Sequence, residues 1–284
     1  MQQRLMRMKM KTIETYLTRN KWGTKDFRDI KTKLFYSVQE KQKDFHPLLA
    51  STYKDNPIQL IDFFSGAGGT SLGFASVNHV IPAFKMLGGC DINAVSAQTY
   101  SHNYGTPLIN EDIRSLAHDP QKLHELLDRI GYDPKKPTIL IGCAPCQGFS
   151  SHRKKHWNEE EDVRNSLVIA FAEIVEQIMP DAIVMENVPE FLSKRYWHYF
   201  SAAKSRFEKI GYIVKQNIYN AAMFGVPQER FRSIVIAMKK EFLMPVGILE
   251  PSEYKTVREA IGNLPPVPAG VAYPGDPMHK SAAH

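Results

Sequence analysis

Cysteine is scarce in this sequence: Cys90, Cys143 and Cys146 are the only three in 284 residues. That excludes a disulfide-stapled scaffold and is the usage of a reducing compartment. Cys143 and Cys146 are spaced C-x-x-C, but no second pair exists to complete a structural zinc site, which takes about four ligands, and no metal site is expected. Also missing is any run of about 18 apolar residues, so no membrane-spanning helix is expected. The Met-, Arg- and Lys-rich first residues have no apolar stretch behind them, so no secretory signal is expected either. Internal repeats and low-complexity tracts are lacking. At 43% hydrophobic content the chain can bury one sizeable core and a small appendage. Its net charge of +6 is compatible with an anionic partner, a weak pointer by itself.

What is present is organised around Thr138-Ile-Leu-Ile-Gly-Cys-Ala-Pro-Cys146-Gln-Gly-Phe-Ser150. Thr138 to Ile141 is short, β-branched and apolar, which reads as a central strand of a parallel sheet. Ligands in open α/β sheets bind beyond the carboxyl ends of such strands, so Cys146 is expected at the mouth of a cleft. The thiol has three readings: a packed core cysteine, a redox or metal pair with Cys143, or a nucleophile. A redox motif normally opens a helix, whereas Gln147 onward leads into a polar, basic stretch, His152 to Trp157.

Residues 1–56 are charged and short of long apolar faces, and read as an extension that packs on the main domain or reaches a partner. Ile58 to Phe64 is an expected strand, Ser65-Gly-Ala-Gly-Gly69 a turn, and Thr70 to Val77 a helix. The glycines admit close approach of a ligand and the helix start offers free N–H groups, although Gly66, Gly68 and Gly69 depart from G-x-G-x-x-G. A second strand, Ala83 to Cys90, ends at Asp91, either a ribose-hydroxyl partner or a cap, with Asn93 better placed to cap the helix Ala94 to Asn103. A third strand end is expected over Leu108 to Ile113, where Asp112 is again a cap or a ligand contact, followed by a helix from Ala117 to Ile130. Beyond the basic loop come a helix, Asp162 to Met179, and a strand, Asp181 to Met185, ending in Glu186-Asn-Val-Pro189. A carboxylate at such a strand end is a candidate acid with a raised pKa, or else a cap for the next segment, which Asn187 could serve instead. The last strands are Tyr212 to Tyr219 and Phe231 to Ala237, with Arg230 and Arg232 on one face at the start of the second, as surface ion pairs or as phosphate and base contacts. The pattern predicts an α/β fold of the Rossmann type, a mostly parallel sheet with helices on both faces.

Asp62-Phe-Phe-Ser-Gly-Ala-Gly-Gly69, Pro145-Cys-Gln147, Glu186-Asn-Val188 and Gln228-Glu-Arg-Phe-Arg232 fall in the order, and near the spacing, of the cytosine-5 DNA methyltransferase family. The resemblance covers residues 57–264, and Asp162, Arg164, Asn165 and Leu167 are similar to that family's segment after the catalytic loop. It implies that Cys146 adds to carbon 6 of a flipped-out cytosine, that Glu186 bonds ring nitrogen 3, and that Arg232, with Arg230 close by, holds the base oxygen and the carboxylate. It further implies S-adenosylmethionine as cofactor, lined by Phe64, Gly66, Ala67 and Gly69, with Asp91 on the ribose, Ile92 on the adenine face, Asp112 and Ile113 at the adenine edge, and Pro145 and Leu167 as further contacts. Family members often carry a large aromatic where Ile92 sits, so adenine packing is expected to be weaker here. Arg153, Lys154 and Lys155, in a stretch resembling the family's mobile loop, suit DNA phosphates, and Gln147, Ser150 and Gln228 are further substrate positions.

Thr256 to Pro266 continues as in relatives, but the target-recognition region and last motifs expected of the family do not follow. The expected domains are therefore an extension (1–56), a catalytic domain (57–240), and the start (241–284) of a segment leading to recognition. A second polypeptide supplying recognition, or a chain cut short, is the corresponding expectation, with double-stranded DNA as partner and a bacterial, cytoplasmic, nucleoid-associated restriction-modification setting. The rivals are a transfer-RNA cytosine methyltransferase, a catalytically silent subunit of the same fold, and a dinucleotide oxidoreductase using Cys143 and Cys146.

Overall fold

In the computed structural model the residues described are 56–78, 81–145, 160–194 and 196–264, with backbone alone for 160–166. The N-terminal extension, Cys146 and the basic loop lie outside them.

Six strands form one sheet: β1 (Ile58–Phe63), β2 (Phe84–Cys90), β3 (Thr138–Gly142), β4 (Ala182–Asn187), β5 (Ile213–Asn220) and β6 (Phe231–Met238), in the order β2-β1-β3-β4-β6-β5. β1 pairs in parallel with β2 and β3, and β3 in parallel with β4, while β6 runs antiparallel to β4. The expected mostly parallel sheet is therefore present. From β1 the chain steps out to β2, then crosses back to β3 on the other side. Right-handed crossovers put the helices of those two excursions on opposite faces and leave a switch point between the ends of β1 and β3.

The helices are α1 (Gly69–Val77), α2 (Ala94–Tyr104), α3 (Ile113–His118), α4 (Pro120–Arg129), α5 (Glu160–Ile178), α6 (Trp197–Lys209) and α7 (Val257–Ile261). Two expectations need correction. The strand expected over Leu108 to Ile113 shrinks to a single parallel bridge, Cys90 with Ile109, because the Asp112 side chain caps α3 and turns the chain into helix at once. The helix expected from Ala117 to Ile130 is two helices, since Asp119 caps a new start at Pro120, which has no N–H to satisfy in a first turn. α6 went unanticipated, although its buried Phe200, Ala203 and Phe207 recur at helical spacing.

The core lies between sheet and helices. Phe171 of α5 sits edge-on to Phe63, with ring centroids 6.1 Å apart, and fills the space left by Gly142, where an added Cβ would stand 2.5 Å from its ring. Up to Ile218, and again over Arg232–Val246, the described residues form one compact unit. Tyr219–Phe231 and the described residues from Gly247 onward form another.

Candidate functional site

The turn after β1 is wound left-handed. Phe64 (φ 59°), Gly66 (φ 54°) and Gly68 (φ 95°) all have positive φ, a region that strains a bulky residue such as Phe64 and that glycine enters freely. Gly66 N–H donates to Asp91 Oδ2 at 2.8 Å, so the carboxylate at the end of β2 braces the turn. Asp91 Oδ1 accepts from Asn93 N–H at 2.8 Å. Asn93 itself caps α2 through Ser96, as expected of it. α1 starts at Gly69 with no side-chain cap and no acid in its first turn, which leaves its first N–H groups without a side-chain acceptor. Ala67 and Gly69 are exposed, and nothing lies within 4 Å of where a Cβ would stand at Gly66 or Gly69. Asn110 Nδ2 donates to the carbonyls of Asp91 and Ile92, both at 2.9 Å, and holds the backbone of Ile92, whose side chain is 68% exposed. Asp112 forks onto Arg114, which holds its carboxyl below the usual range. Ile113 is buried in the core.

The foundation of this turn was missed in the sequence. Asp62 is fully buried in β1 and its Oδ2 accepts from Ser71 Oγ at 2.7 Å. Ser71 Oγ lies 2.9 Å from the Tyr100 hydroxyl, and Tyr104 donates to the Gly68 carbonyl at 2.6 Å. The two tyrosine rings pack 4.6 Å apart. They occupy room that exists because Gly68 and Gly89 lack side chains, whose Cβ atoms would stand 2.3 Å from Tyr104 and 2.5 Å from Tyr100 respectively. A lone acid within the apolar run Ile58 to Phe63 was the available signal.

At the end of β3, Cys143 N–H donates to the Phe63 carbonyl at 3.3 Å, and its Sγ lies 3.3 Å from Thr70 Oγ1. Burial, with Asp62 and Glu186 nearby, pushes this thiol up to about 12, which opposes the thiolate that a redox pair requires. Asn187 Nδ2 donates to the Ala144 carbonyl at 3.1 Å. Asn187 was weighed as a helix cap, but it ties the end of β4 to the backbone two residues before Cys146. Ser233 Oγ from β6 donates to the Asn187 and Val188 carbonyls at 3.1 and 3.0 Å and fixes that corner. Beside it, Arg232 Nε meets Glu186 Oε1 at 2.7 Å, with the two side chains 24% and 32% exposed. Pro145 is exposed, and Leu167 packs half-buried against the core.

Gln228 and Arg230 belong to the second unit, where the Ala221 N–H donates to the Arg230 carbonyl at 2.8 Å and the Arg230 N–H to Asn220 Oδ1 at 3.1 Å. Cys146, Gln147, Ser150, Arg153, Lys154 and Lys155 lie outside the described residues.

Residues 58–268 match a family model described as C-5 cytosine-specific DNA methylase. Type II methyltransferase M1.HphI of Haemophilus parahaemolyticus is 37% identical over 215 residues, 74% of this chain and 54% of that protein. Type II methylase M.HgiDII of Herpetosiphon aurantiacus is 31% identical over 224 residues, 78% of this chain and 59% of its own. The chain thus spans little more than half the length of these curated relatives. It spans 89% of another, Type II methyltransferase M.AquIA of Picosynechococcus, at 30% identity over 233 residues and 73% of this chain. Among solved structures, a DNA modification methyltransferase encoded within an E. coli prophage superposes with a TM-score of 0.58 at 25% identity, covering 74% of this chain and 56% of that one.

Proposed function

Because this chain belongs to the C-5 cytosine-specific DNA methylase family, we propose that it is the catalytic part of a DNA (cytosine-5)-methyltransferase. The observation that carries the reading is the junction of β3 and β4: Glu186, paired with Arg232, stands next to Asn187, whose side chain holds the carbonyl of Ala144 just ahead of Cys146.

Carbon 5 of cytosine is a poor nucleophile. The Cys146 thiolate adds to carbon 6, and the electron pair displaced from the 5,6 double bond moves into the ring. Glu186 gives a hydrogen bond or proton to nitrogen 3, where charge develops, and Arg232 holds both that carboxyl and the base oxygen, with Arg230 assisting. S-adenosylmethionine, when bound, supplies the methyl group that carbon 5 then takes up. Loss of the carbon-5 proton restores the double bond and expels the Cys146 thiolate.

The residues present fit that cofactor. Free N–H groups at the start of α1 suit its carboxylate, Asp91 its ribose hydroxyls, and exposed Ile92, with Asp112 two residues beyond the Asn110 that bonds its carbonyl, its adenine. Asp62 Oδ1, buried and without a hydrogen-bond partner among the described residues, suits a positive charge nearby. Phe64, Gly66, Ala67, Gly69, Ile113, Pro145 and Leu167 complete the set, with Ile113 acting from the core side.

Double-stranded DNA is the substrate, with the base flipped out of the stack. Arg153, Lys154 and Lys155 meet phosphates, and Gln147, Ser150 and Gln228 face the target nucleotide. Residues 57–240 carry the chemistry and 241–284 lead toward target recognition. The Type II methyltransferase relatives support a bacterial restriction-modification setting, and with it a cytoplasmic protein on nucleoid DNA.

The test is covalent trapping on DNA containing 5-fluorocytosine with S-adenosylmethionine present, for the chain alone, with a candidate recognition subunit, and for Cys146→Ala. Fluorine at carbon 5 blocks the final elimination, so a Cys146-dependent adduct is expected on a denaturing gel. No adduct under any condition overturns the assignment.

A further inference from the structure

Asp62 takes no direct part in the proposed chemistry, yet a carboxyl with no exposed surface inside an apolar strand is costly to keep. One oxygen is bonded to Ser71, and Oδ1 has no hydrogen-bond partner among the described residues. Among the described residues, the groups that face it are Ser71 from α1, Tyr100 and Tyr104 from α2, Asp91 from the end of β2, and Cys143 from the end of β3. None of these is a cation, and Asp91 repels it. Burial pushes the Asp62 carboxyl up to about 7, so both charge states are within reach near neutral pH. A half-satisfied acid at the foot of the glycine turn is favoured in its ionised form by any positive charge that enters there.

Resting on the cofactor reading of that turn, we propose that Asp62 is a positioning residue that distinguishes the sulfonium cofactor from its uncharged thioether product, gripping the first as a carboxylate and releasing the second as a carboxylic acid. Binding of S-adenosylmethionine places a fixed positive charge in a water-poor site and favours ionised Asp62, whose proton leaves to solvent. The ionised form accepts a stronger, charge-assisted bond from Ser71, the residue that ties α1 and Tyr100 together, so the glycine turn tightens. After transfer the sulfur is neutral, Asp62 takes a proton back, and the grip relaxes. The carboxylate therefore acts through Ser71 and through its field, without touching the reacting atoms.

Calorimetry on the full chain tests this, with S-adenosylmethionine and S-adenosylhomocysteine titrated from about pH 6 to pH 8.5 in buffers of different ionisation enthalpy. The preference for the sulfonium ligand should rise about tenfold across the range, which equals one unit of pKa displacement on binding, with extra proton release for that ligand alone. Asp62→Asn should abolish both the rise and the extra release. The amino group of each ligand titrates in wild type and variant alike, so the difference between proteins isolates Asp62. If Asp62→Asn does not fold, Ser71→Ala removes the bond that favours the ionised form and should move the midpoint of the profile upward. Equal pH profiles for the two ligands, a rise that survives in Asp62→Asn, or an unmoved midpoint in Ser71→Ala overturns the proposal while leaving the cofactor reading intact. Binding of neither ligand to wild type at any pH overturns the cofactor reading itself, and this proposal with it.

Discussion

Arg232 Nε and Glu186 Oε1 are 2.7 Å apart, across strands paired so that Glu186 faces Ile234 and Asn187 faces Ser233. The pair sits where β6 begins to run back along β4, so an antiparallel strand brings a cation from far along the chain to the end of β4. Arg232→Ala should lower single-turnover methyl transfer about a hundredfold or more, the usual cost of losing one preorganised charge partner. Arg232→Lys should not restore it, because an ammonium lacks the planar fork. Because both side chains are partly solvated, the unfolding midpoint should hardly move.

Asn187→Ala should act on position more than on charge. It strands the buried Ala144 carbonyl and should cost about 1–3 kcal/mol in denaturant unfolding. It also loosens the backbone ahead of Cys146, so single-turnover rates should fall about ten- to a hundredfold while calorimetric cofactor affinity is unchanged.

Gly142→Ala should destabilise by about 1–3 kcal/mol, since its Cβ would meet the Phe171 ring at 2.5 Å. Phe171→Leu in the same chain should recover part of that loss, giving a double-mutant cycle that departs from additivity.

At Phe64 the usual ranking of alanine over glycine should reverse. Both variants lose the ring's packing against the core, but only alanine retains the left-handed penalty at φ 59°. Phe64→Gly should therefore unfold at higher urea than Phe64→Ala, by about 0.5–1 kcal/mol.

Stability should fall as pH rises from about 4 to about 7. The Asp62 carboxyl titrates at an ordinary 3.8 when unfolded and at about 7 when folded, so in that window the native state holds more protons than the unfolded state, and unfolding becomes easier as pH rises. Urea midpoints at about pH 5 and pH 8 should differ in that sense for wild type, and the contribution should vanish in Asp62→Asn.

The strands and the glycine turn were legible because apolar β-branched runs and clustered glycines mark them locally. Asn93 as the cap of α2 was legible for the same reason, whereas Asp91 as a brace for the glycine turn was not. The break at Pro120 carried a local signal that went unread, as did the spacing of Phe200, Ala203 and Phe207. Asp62 and Asn187 were different in kind. What makes Asp62 matter is its enclosure by α1 and α2, and what makes Asn187 matter is a carbonyl 43 residues earlier in the chain. Neither relation has a sequence period, so neither could be read before the fold was in hand.

The raised thiols of two cysteines, Cys90 buried and Cys143 partly buried, turn the chain into a ready-made labelling reagent. Cys90 and Cys143 both have thiols pushed up to about 12, which leaves them almost wholly protonated and slow toward alkylating probes near neutral pH. With only three cysteines in the sequence, any fast labelling of the native protein reports Cys146. A maleimide or iodoacetamide time course, without removal of a single residue, then follows the proposed nucleophile as DNA and cofactor come and go.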